Sequence, residues 1–526
     1  MKFHLHRRFS FLIIPPNDVI KQDSVCLFQR VTVPEFHEYS QAAMKKIFII
    51  GTGPLLEKGV KKIAGPCLRT WHLTSPLLDD GHQVVLVTLP IPDRSRPPEK
   101  FRESSEKRKF GDFTYTAVLK EDPAFLYPFL QREIGNLYPD CILGINGHPS
   151  AVAARVAGHL PLWADLNGWA MAEGQTRARL DGDDSFLSHF WKDEKDAVRR
   201  ADRFSTVTQN QKYALIGELA ALGRLNQYTF DYPFASVIEN AVNLMFRENP
   251  PVQEPPQLRG GRVPPDAFVV LWSGGFNTWT DVDLLYHALV HAMEANEKIY
   301  FISTGGGIDG HDEKTYTRFH RLLAASPFRK HFILLGWVEA EYLLPIYAEA
   351  NIGINVDAVN YETLFGARNR ITNMLAAGLP VVTTLGTEIS HTIENEKLGK
   401  AVPLDDPKAL AAAILDLASH EAMTRKMGDQ AHAYSLEHYS YENTSLPLRE
   451  WMRDPLLSPD NKEKIKKFGD EEDLLSVWLS DLEKNQALLQ DIDIEKMLTA
   501  EHDLDLIRNK PLFRLYKRLQ KTFKGL

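Results

Sequence analysis

Charged side chains gather in one stretch of the second half of the sequence, NYETLFGARNRITNMLAAGLPVV (residues 360–382). A glutamate and a glycine precede Arg368 and Arg370, and an Ala-rich helix is predicted to begin near Gly366 or Ala367. Cations at a helix start oppose the positive end of the helix dipole. They become favourable where an anion binds, because the helix N–H groups and the guanidinium groups then share it. The stretch predicts an anion site; the alternative is that both arginines are solvated or pair with acids elsewhere.

Two glycine-rich turns follow predicted strands of the same half. Gly274 and Gly275 lie in the first turn, with Asn277 just beyond, and Gly305 and Gly306 lie in the second. Glycines there let backbone N–H groups approach a ligand closely, and the helix N-termini beyond them favour phosphate. Two such turns at one sheet edge favour phosphate binding over the alternative, in which the glycines only make turns.

A third glycine pair, Gly51 and Gly53, follows the first predicted strand. Leu56 stands where a dinucleotide-binding fingerprint has its third glycine. A lone G-x-G is weak evidence, so a tight strand-to-helix turn is at least as good an interpretation as binding of NAD.

One short acidic motif resembles a metal-binding pattern. Asp281 and Asp283 form a D-x-D sequence, a pattern that some enzymes use to bind a metal ion. Here the motif starts a predicted helix, and Thr280 and Asp283 are spaced as a capping box. We therefore interpret it as helix capping.

The composition sets the frame for these motifs. The chain has 526 residues, of which 44% are apolar and 25% charged, values typical of a soluble protein with two or three domains. A net charge of -8 gives no case for nucleic-acid binding. Cys26, Cys67 and Cys141 are far apart, which indicates neither a disulfide framework nor a zinc site and fits a reducing compartment. No apolar run is long enough to span a membrane.

Apolar strands alternate with helices twice along the chain, which predicts an α/β protein with two Rossmann-like domains. The predicted strands are 45–51, 81–89, 141–147, 160–168 and 203–208 in the first half, and 267–275, 298–307, 331–337, 351–356 and 378–384 in the second. A Pro- and Gly-rich stretch at 249–265 reads as the linker between them. Ligands of parallel sheets bind at the carboxyl ends of the strands, so the cleft between the two domains is the expected site.

Both ends of the chain differ from this pattern. Residues 1–43 are interpreted as a poorly structured extension translated from a start placed too far upstream, with a signal peptide as the weaker alternative. The domains are then 44–245 and 246–450, followed by a charged helical tail at 451–526 in which 461–505 is expected to pack loosely or not at all on the body.

The last residues, 508–526, carry seven basic and no acidic side chains and can form an apolar face. A basic amphipathic helix suits an anionic membrane surface. The alternative is a helix docked on the rest of the protein.

Residues 44 to about 450 resemble the GT-B glycosyltransferases, specifically the retaining enzymes of family 4, also called group 1. The segments that carry the resemblance are MKKIFIIGTG, GHQVVLVT and VIENAVN in the first half, and HFILLGWV, LPIYAEANIGINV and GLPVVTT followed by GTEIS in the second. The resemblance implies two Rossmann-like domains that face each other across a cleft.

It also implies a function. A sugar would pass from a nucleotide-sugar donor, bound by the second domain, to a glycan or lipid-linked acceptor on the first, with retention at the anomeric carbon. The family needs no metal or other cofactor, because protein cations and helix dipoles stabilise the departing diphosphate.

The family often has two glutamates before a helix and strand like those at 360–382. Glu362 is similar to the first, which commonly contacts hydroxyls of the donor sugar. Asn373 stands at the position of the second, and its amide can hydrogen-bond a hydroxyl.

The first turn of the donor domain departs from the family, which often has an Arg and a Lys there for the diphosphate. This sequence has GGFNTWTD, with neither. Gly366, Arg368 and Arg370 are therefore expected to face the diphosphate in their place. Trp337 stands in the loop that borders the base in the family, or else it belongs to the core.

In the first domain, His148 follows a strand at whose end the family frequently has a histidine that touches the transferred sugar. A structural polar contact is the alternative. Asp165 and Asn167 end the next strand and, with Gly51 and Gly53, are expected to line the acceptor side of the cleft.

Three other functions stay open. A nucleotide-sugar epimerase can share this fold, and a non-catalytic scaffold with a degenerate donor site would explain the departures from the family's pattern. A nicotinamide-dependent oxidoreductase is the weakest of the three. The expected location is the cytoplasm, with peripheral attachment to the inner face of the membrane.

Overall fold

The computed structural model describes most of the chain from residue 43 to residue 468. The described ranges are 43–56, 64–91, 104–243, 258–308 and 310–468. The interpretations of residues 1–42, of most of the linker and of the tail beyond residue 468 concern residues outside these ranges. The described residues from Met44 on belong to one compact unit.

The first domain is built on an eight-stranded sheet. Its strands are β1 (Lys46–Gly53), β2 (Gln83–Pro90), β3 (Ser105–Phe110), β4 (Phe113–Val118), β5 (Cys141–Ile145), β6 (Leu162–Leu166), β7 (Arg203–Thr206) and β8 (Ala235–Val237). The order across the sheet is β3-β4-β2-β1-β5-β6-β7-β8. Only the β3–β4 hairpin is antiparallel, so the strands that reach the cleft end at the same edge.

The described residues of the first half form six helices. They are α1 (Gly65–Asp79), α2 (Pro123–Leu137), α3 (Gly147–Val156), α4 (Ala170–Asp181), α5 (Leu187–Arg200) and α6 (Gln209–Ala221).

The second domain has a six-stranded, fully parallel sheet. Its strands are β9 (Phe268–Trp272), β10 (Ile299–Ser303), β11 (Phe332–Leu334), β12 (Ile352–Asn355), β13 (Val381–Thr384) and β14 (Gly399–Val402), in the order β11-β10-β9-β12-β13-β14. The helices of this half are α7 (Val282–Ala295), α8 (Lys314–Ala324), a short 3-10 turn (Arg329–His331), α9 (Ala340–Glu349), α10 (Tyr361–Phe365), α11 (Asn369–Ala376), α12 (Glu388–Asn395), α13 (Pro407–Ser419) and α14 (Glu421–His438).

Each sheet buries both of its faces. In β1, Ile47 and Ile49 point into one hydrophobic cluster while Phe48 and Ile50 point into another on the opposite face. Strand β9 divides its side chains between two further clusters in the same way. Continuous apolar strands are what a parallel sheet covered by helices on both sides requires. The predicted α/β class and the two Rossmann-like domains are confirmed.

The chain crosses between the domains twice. The first crossing is held on the second domain, where the backbone N–H of Val242 donates to the carbonyl of Tyr439 at 2.8 Å. After Tyr439 the chain returns to the first domain through three helices. These are α15 (Tyr441–Thr444), α16 (Leu446–Arg453) and α17 (Pro459–Phe468).

The returning helices are part of the first domain's structure. Leu448 and Met452 lie in the hydrophobic cluster beneath β1. Arg224, 1% exposed, is bound by Asp460 through two hydrogen bonds of 2.9 and 3.1 Å. The expectation of loose packing from residue 461 is therefore wrong at its start, because Asn461 is buried and donates to Asp202 at 2.8 Å.

Three local features differ from the sequence predictions. The β3–β4 hairpin and β14 were not predicted, since SEKRKF is polar and GKAV is short. Asp281, not Thr280, caps α7 by accepting the N–H of Leu284 at 2.8 Å, so the D-x-D motif caps a helix as predicted but through another residue.

No helix in the described part of the chain is long and apolar enough to cross a membrane.

Candidate active site

The two glycine-rich turns of the second domain pack directly on each other. Gly274 has a φ of +85°, which favours glycine, and a Cβ on Gly305 would lie 1.9 Å from the carbonyl oxygen of Gly274. The N–H of Phe276 donates to the carbonyl of Gly306 at 3.1 Å. The glycines are therefore needed for close approach of two backbones at the carboxyl edge of the sheet.

Trp337 lies against these turns. Its ring is 3.2 Å from the position of a Cβ on Gly275, and its indole N–H donates to the carbonyl of Gly307 at 3.0 Å. The side chain is half-buried, so one part of the indole belongs to the packing of the turns. Its expected contact with a base stays a prediction.

Arg368 does not face an anion site. It precedes α11 as the N-cap residue, so the helix begins two or three residues later than predicted. Its guanidinium is buried and donates to Asp357 at 2.9 Å and to both carboxylate oxygens of Glu362 at 2.9 and 2.7 Å. The alternative that we kept open, pairing with acids elsewhere, is therefore correct for Arg368, because two carboxylates already satisfy this cation.

Glu362 is the buried partner in this network. Burial raises the pKa of its carboxyl to about 7, against the lowering effect of Arg368. A Cβ on Gly366 would lie 2.1 Å from a carboxylate oxygen of Glu362 and 2.5 Å from a guanidinium nitrogen of Arg368. Gly366 thus leaves room for the ion pair, which is a different role from the expected contact with the diphosphate.

Arg370 has a different environment. Its Nη2 donates to the carbonyl of Gly275 at 2.5 Å, and its guanidinium carbon lies 4.1 Å from the ring centroid of Trp272. Nη1 is buried and hydrogen-bonds no atom of the residues that the structure describes. Burial lowers the pKa of Arg370 to about 10, although the negative charge of Asp357 opposes this effect. A buried donor aimed beside the glycine turns is what an anion would satisfy.

The two asparagines of the predicted donor site are placed differently. Asn373 accepts the N–H of Asn243 at 3.2 Å, so it holds the first crossing between the domains. Asn277 bonds through its backbone to Thr280, with its N–H donating to Oγ1 at 3.2 Å. The side chain of Asn277 is half-buried beside the first glycine turn.

On the first domain, Gly51 and Gly53 are packing positions within β1. A Cβ on Gly51 would lie 2.5 Å from the side chain of Thr70, and one on Gly53 equally close to the side chain of Thr88. Side chains larger than hydrogen would therefore push α1 and β2 away. Contact of these two glycines with an acceptor stays a prediction.

Polar groups at the ends of β5 and β6 form a chain at the cleft edge. Asn167 donates to the Oδ1 atom of Asn146 at 3.1 Å, and Asn146 donates to the hydroxyl of Thr52 at 3.0 Å. Asn146 caps the start of α3 with a φ of 77°. Asn167 follows the end of β6 and is half-buried, and its contact with an acceptor stays a prediction.

Asp165 does not line the cleft. It is 0% exposed and binds Arg69 through two hydrogen bonds of 2.7 and 3.1 Å. Arg69 also donates to the carbonyl of Glu239 at 3.1 Å, next to the first crossing. The expectation for Asp165 is corrected for this reason: its carboxylate compensates a buried arginine inside the fold.

His148 is held between two carboxylates at the start of α3. Nδ1 lies 2.7 Å from Asp193, and Nε2 lies 2.7 Å from Glu121. Although burial opposes it, these two partners raise the pKa of His148 to about 9. The imidazole is therefore a cation at neutral pH, and both of its nitrogens are engaged.

The domains meet around this cleft. Thr176 of α4 shares a hydrogen bond of 2.7 Å with Thr278 of the first glycine turn. Glu388, at the start of α12, accepts the N–H groups of Gln209 and Asn210 at 2.9 and 2.6 Å, which are the first residues of α6. The sequence predicted no role for these residues, although Glu388 belongs to the GTEIS segment.

One family model matches the second domain. Residues 267–420 match the model described as "Glycosyl transferases group 1". This part of the chain is a group 1 glycosyltransferase domain. It contains both glycine turns, the Arg368 network, Arg370 and Glu388, so most of the geometry described above lies within it.

Solved structures agree with the fold of the group 1 glycosyltransferase domain and of its partner domain. Sucrose-phosphate synthase from Thermosynechococcus elongatus matches with a TM-score of 0.56 and 17% identity over 78% of this chain and 98% of its own. Anabaena HepE in complex with UDP and glucose matches with a TM-score of 0.52 and 15% identity over 78% and 99%.

A third structure, described as trehalose-6-phosphate from E. coli bound with UDP-2-fluoro glucose, matches with a TM-score of 0.54 and 11% identity over 78% and 100%. The comparison with curated proteins gives no match. The fold is GT-B, and together with the group 1 glycosyltransferase domain it supports a glycosyltransferase.

Proposed function

We propose that the protein transfers a sugar from a nucleotide-sugar donor to an acceptor, and that the diphosphate of the donor binds beside Arg370. The observation that carries the proposal is the environment of this side chain. Its Nη1 is buried and hydrogen-bonds none of the described residues, while the rest of the guanidinium is fixed against Trp272 and Gly275. A diphosphate oxygen would supply both the missing hydrogen bond and the missing negative charge.

Neighbouring groups support an anion at the same place. Arg370 is the second residue of α11, and the first N–H groups of a helix have no partner within the helix. The guanidinium also donates to the carbonyl of Gly275, so it is fixed against the first glycine turn. Two of the similar structures are described as holding UDP and glucose or UDP-2-fluoro glucose, which supports a uridine nucleotide as the first donor to test.

We also propose that transfer proceeds with retention and without a metal. As the bond to the sugar breaks, charge develops on the leaving diphosphate, and a preorganised cation stabilises that charge more in the transition state than in the ground state. Arg370 and the start of α11 would supply this stabilisation. Glu362 keeps carboxylate lone pairs beyond those bound by Arg368, and we propose that it accepts a hydroxyl of the sugar.

His148 is proposed to lie beside the transferred sugar on the first domain. Because both of its nitrogens are bound by carboxylates, its contribution would be a fixed positive charge rather than proton transfer. The acceptor is proposed to be a glycan or a lipid-linked glycan, held by the carboxyl edge of the first sheet near Asn146 and Asn167. A lipid-linked acceptor would fit binding of residues 508–526 to an anionic membrane surface, with the protein on the cytoplasmic face.

Substitution of Arg370 tests the proposal. UDP and UDP-glucose should raise the melting temperature of the wild type in the presence of EDTA, and Arg370→Ala should weaken binding of both about tenfold or more, since a hydrogen bond to a charged group is lost. The variant should fold, because it removes a buried cation that has no carboxylate partner. Isothermal titration would measure the affinities.

Arg318→Ala is the matched control. Arg318 lies on the same domain, is exposed and pairs with Asp283. The Arg318→Ala variant should bind UDP and UDP-glucose with the same affinities as the wild type. If UDP, GDP and their glucose and mannose derivatives all fail to bind the wild type, the proposed function is wrong.

A further inference from the structure

Two side chains from different domains face each other across the cleft without touching. Glu173 lies on α4 of the first domain, and His311 lies in the loop that follows the second glycine turn. The distance between Oε1 of Glu173 and Nε2 of His311 is 3.8 Å, with side-chain exposures of 35% and 23%. This distance is too long for a direct hydrogen bond, which needs about 2.7–3.2 Å.

The first domain places Glu173 beside Glu362. Helix α4 packs on α10, which carries Glu362. One turn beyond Glu173, Thr176 is fixed to Thr278 by a hydrogen bond of 2.7 Å. Burial raises the pKa of Glu362, and the negative charge of Glu173 adds to that rise. Glu173 is thus close enough to Glu362 for their charges to interact.

His311 of the second domain is linked to Glu362 through two intervening side chains. The ring of His311 lies 6.4 Å from that of Trp279, in an edge-to-face orientation. The guanidinium of Arg368 lies over the other ring, 5.1 Å from the centroid of Trp279. Arg368 also donates a hydrogen bond to Glu362. The gap between Glu173 and His311 therefore opens next to the residue that we propose to contact the donor sugar.

The chemistry of the gap selects a hydroxyl. A carboxylate only accepts hydrogen bonds, and an imidazole that carries its proton on Nε2 donates one. A hydroxyl does both, so it can donate to Glu173 and accept from His311. A hydroxyl oxygen that lies about 2.8 Å from each of the two side-chain atoms fits between them when those atoms are 3.8 Å apart.

We propose that a hydroxyl of the transferred sugar bridges Glu173 and His311, so that the sugar itself joins the two domains. This inference rests on the proposed function, because the occupant is the sugar of a nucleotide-sugar donor. It adds a contact from the acceptor domain to the donor. Glu173 and His311 then distinguish a nucleotide that carries a sugar from one that does not.

The test compares a nucleotide sugar with the free nucleotide. Affinities for UDP-glucose, UDP, GDP-mannose and GDP are measured on the full chain by isothermal titration. Glu173→Ala and His311→Ala should each bind the nucleotide sugar about tenfold more weakly than the wild type and bind the free nucleotide unchanged. Glu173→Gln keeps an acceptor oxygen and should recover part of the loss. The double variant should lose little more than either single variant, since one hydroxyl makes both contacts.

A second contact between α4 and the residues that follow His311 serves as the control. Lys314 binds Asp181 at 2.8 Å at the exposed end of α4. Lys314→Ala removes a contact between the domains without touching the gap, so it should leave the ratio of the two affinities unchanged. If it changes the ratio as Glu173→Ala does, the two residues act through domain packing and the bridge is wrong.

The remaining outcomes separate the two proposals. If the wild type binds none of the four ligands, the proposed function fails and the bridge fails with it. Two results would overturn only the bridge, provided that the wild type binds nucleotide sugar. In the first, Glu173→Ala lowers the affinities for nucleotide sugar and for free nucleotide equally. In the second, it lowers neither affinity. Equal affinity of the wild type for UDP-glucose and UDP would also overturn it, if GDP-mannose and GDP behave in the same way.

Discussion

Two arginines that are two residues apart have opposite roles in this structure. Arg368 is bound by two carboxylates, whereas Arg370 has none among the described residues. Sequence patterns did not separate them, because Asp357 comes from the end of β12 and reaches Arg368 only in the folded chain. A charge-rich stretch near a helix start therefore does not show which of its cations is already paired with carboxylates and which is not.

The Arg368 network predicts a large loss of stability on substitution. Arg368→Ala leaves Glu362 and Asp357 buried without their cation, which should lower the free energy of unfolding by about 3–5 kcal/mol. Urea denaturation would measure it. Arg370→Ala, on the same helix start, should change the free energy of unfolding by much less. Equal losses in the two variants would contradict the difference in their environments.

His148 predicts a dependence of stability on pH. Its pKa is raised from 6.5 to about 9 in the folded protein, so the folded state holds its proton more tightly than the unfolded state. The stabilisation is fully present below pH 6.5 and is lost as the pH rises towards 9. Urea denaturation at pH 6 and pH 9 should show a smaller decrease for His148→Gln than for the wild type. The same decrease in both would show that the two carboxylates do not hold a proton on this ring.

At the scale of elements, buried strands were easier to predict than polar ones. The strands KIFII and FVVLW were found because parallel strands covered on both faces are continuously apolar. Strand β3 has a charged face at the sheet edge and therefore lacks that signal. Likewise, the burial of Asp165 depends on Arg69, which lies 96 residues earlier in the chain. A strand-end aspartate was a reasonable candidate for the cleft until its partner was known.

Helix α6 depends on a carboxylate from the other domain. Glu388 accepts its first two N–H groups, which otherwise have no partner within the helix. Glu388→Ala should therefore weaken the contact between the domains by about 0.5–2 kcal/mol, the range of a helix cap. Small-angle scattering without ligand should show a larger radius of gyration for the Glu388→Ala variant than for the wild type. Glu394 is exposed on the same helix, so Glu394→Ala is the control and should leave the radius of gyration unchanged.

At the scale of the whole molecule, the described chain ends on the first domain. Helix α17 is fixed there by Arg224 and Asp460, which are both buried. Removal of residues 508–526 should therefore leave the unfolding transition unchanged. It should abolish cosedimentation with vesicles that contain anionic lipid, because the deleted residues carry the basic groups. Binding that survives the deletion, or that neutral vesicles support equally, would contradict the proposed membrane surface.

The double crossing between the domains limits how they can move. The N–H of Val242, on the outgoing segment, donates to the carbonyl of Tyr439, on the returning segment, at 2.8 Å, so the two segments lie side by side at this point. A single tether would let the halves twist and separate in any direction. Two adjacent connections leave mainly one rotation, about an axis through that hydrogen bond. Opening would then widen the gap between Glu173 and His311 along a repeatable arc, and each closure would return both side chains to the same separation.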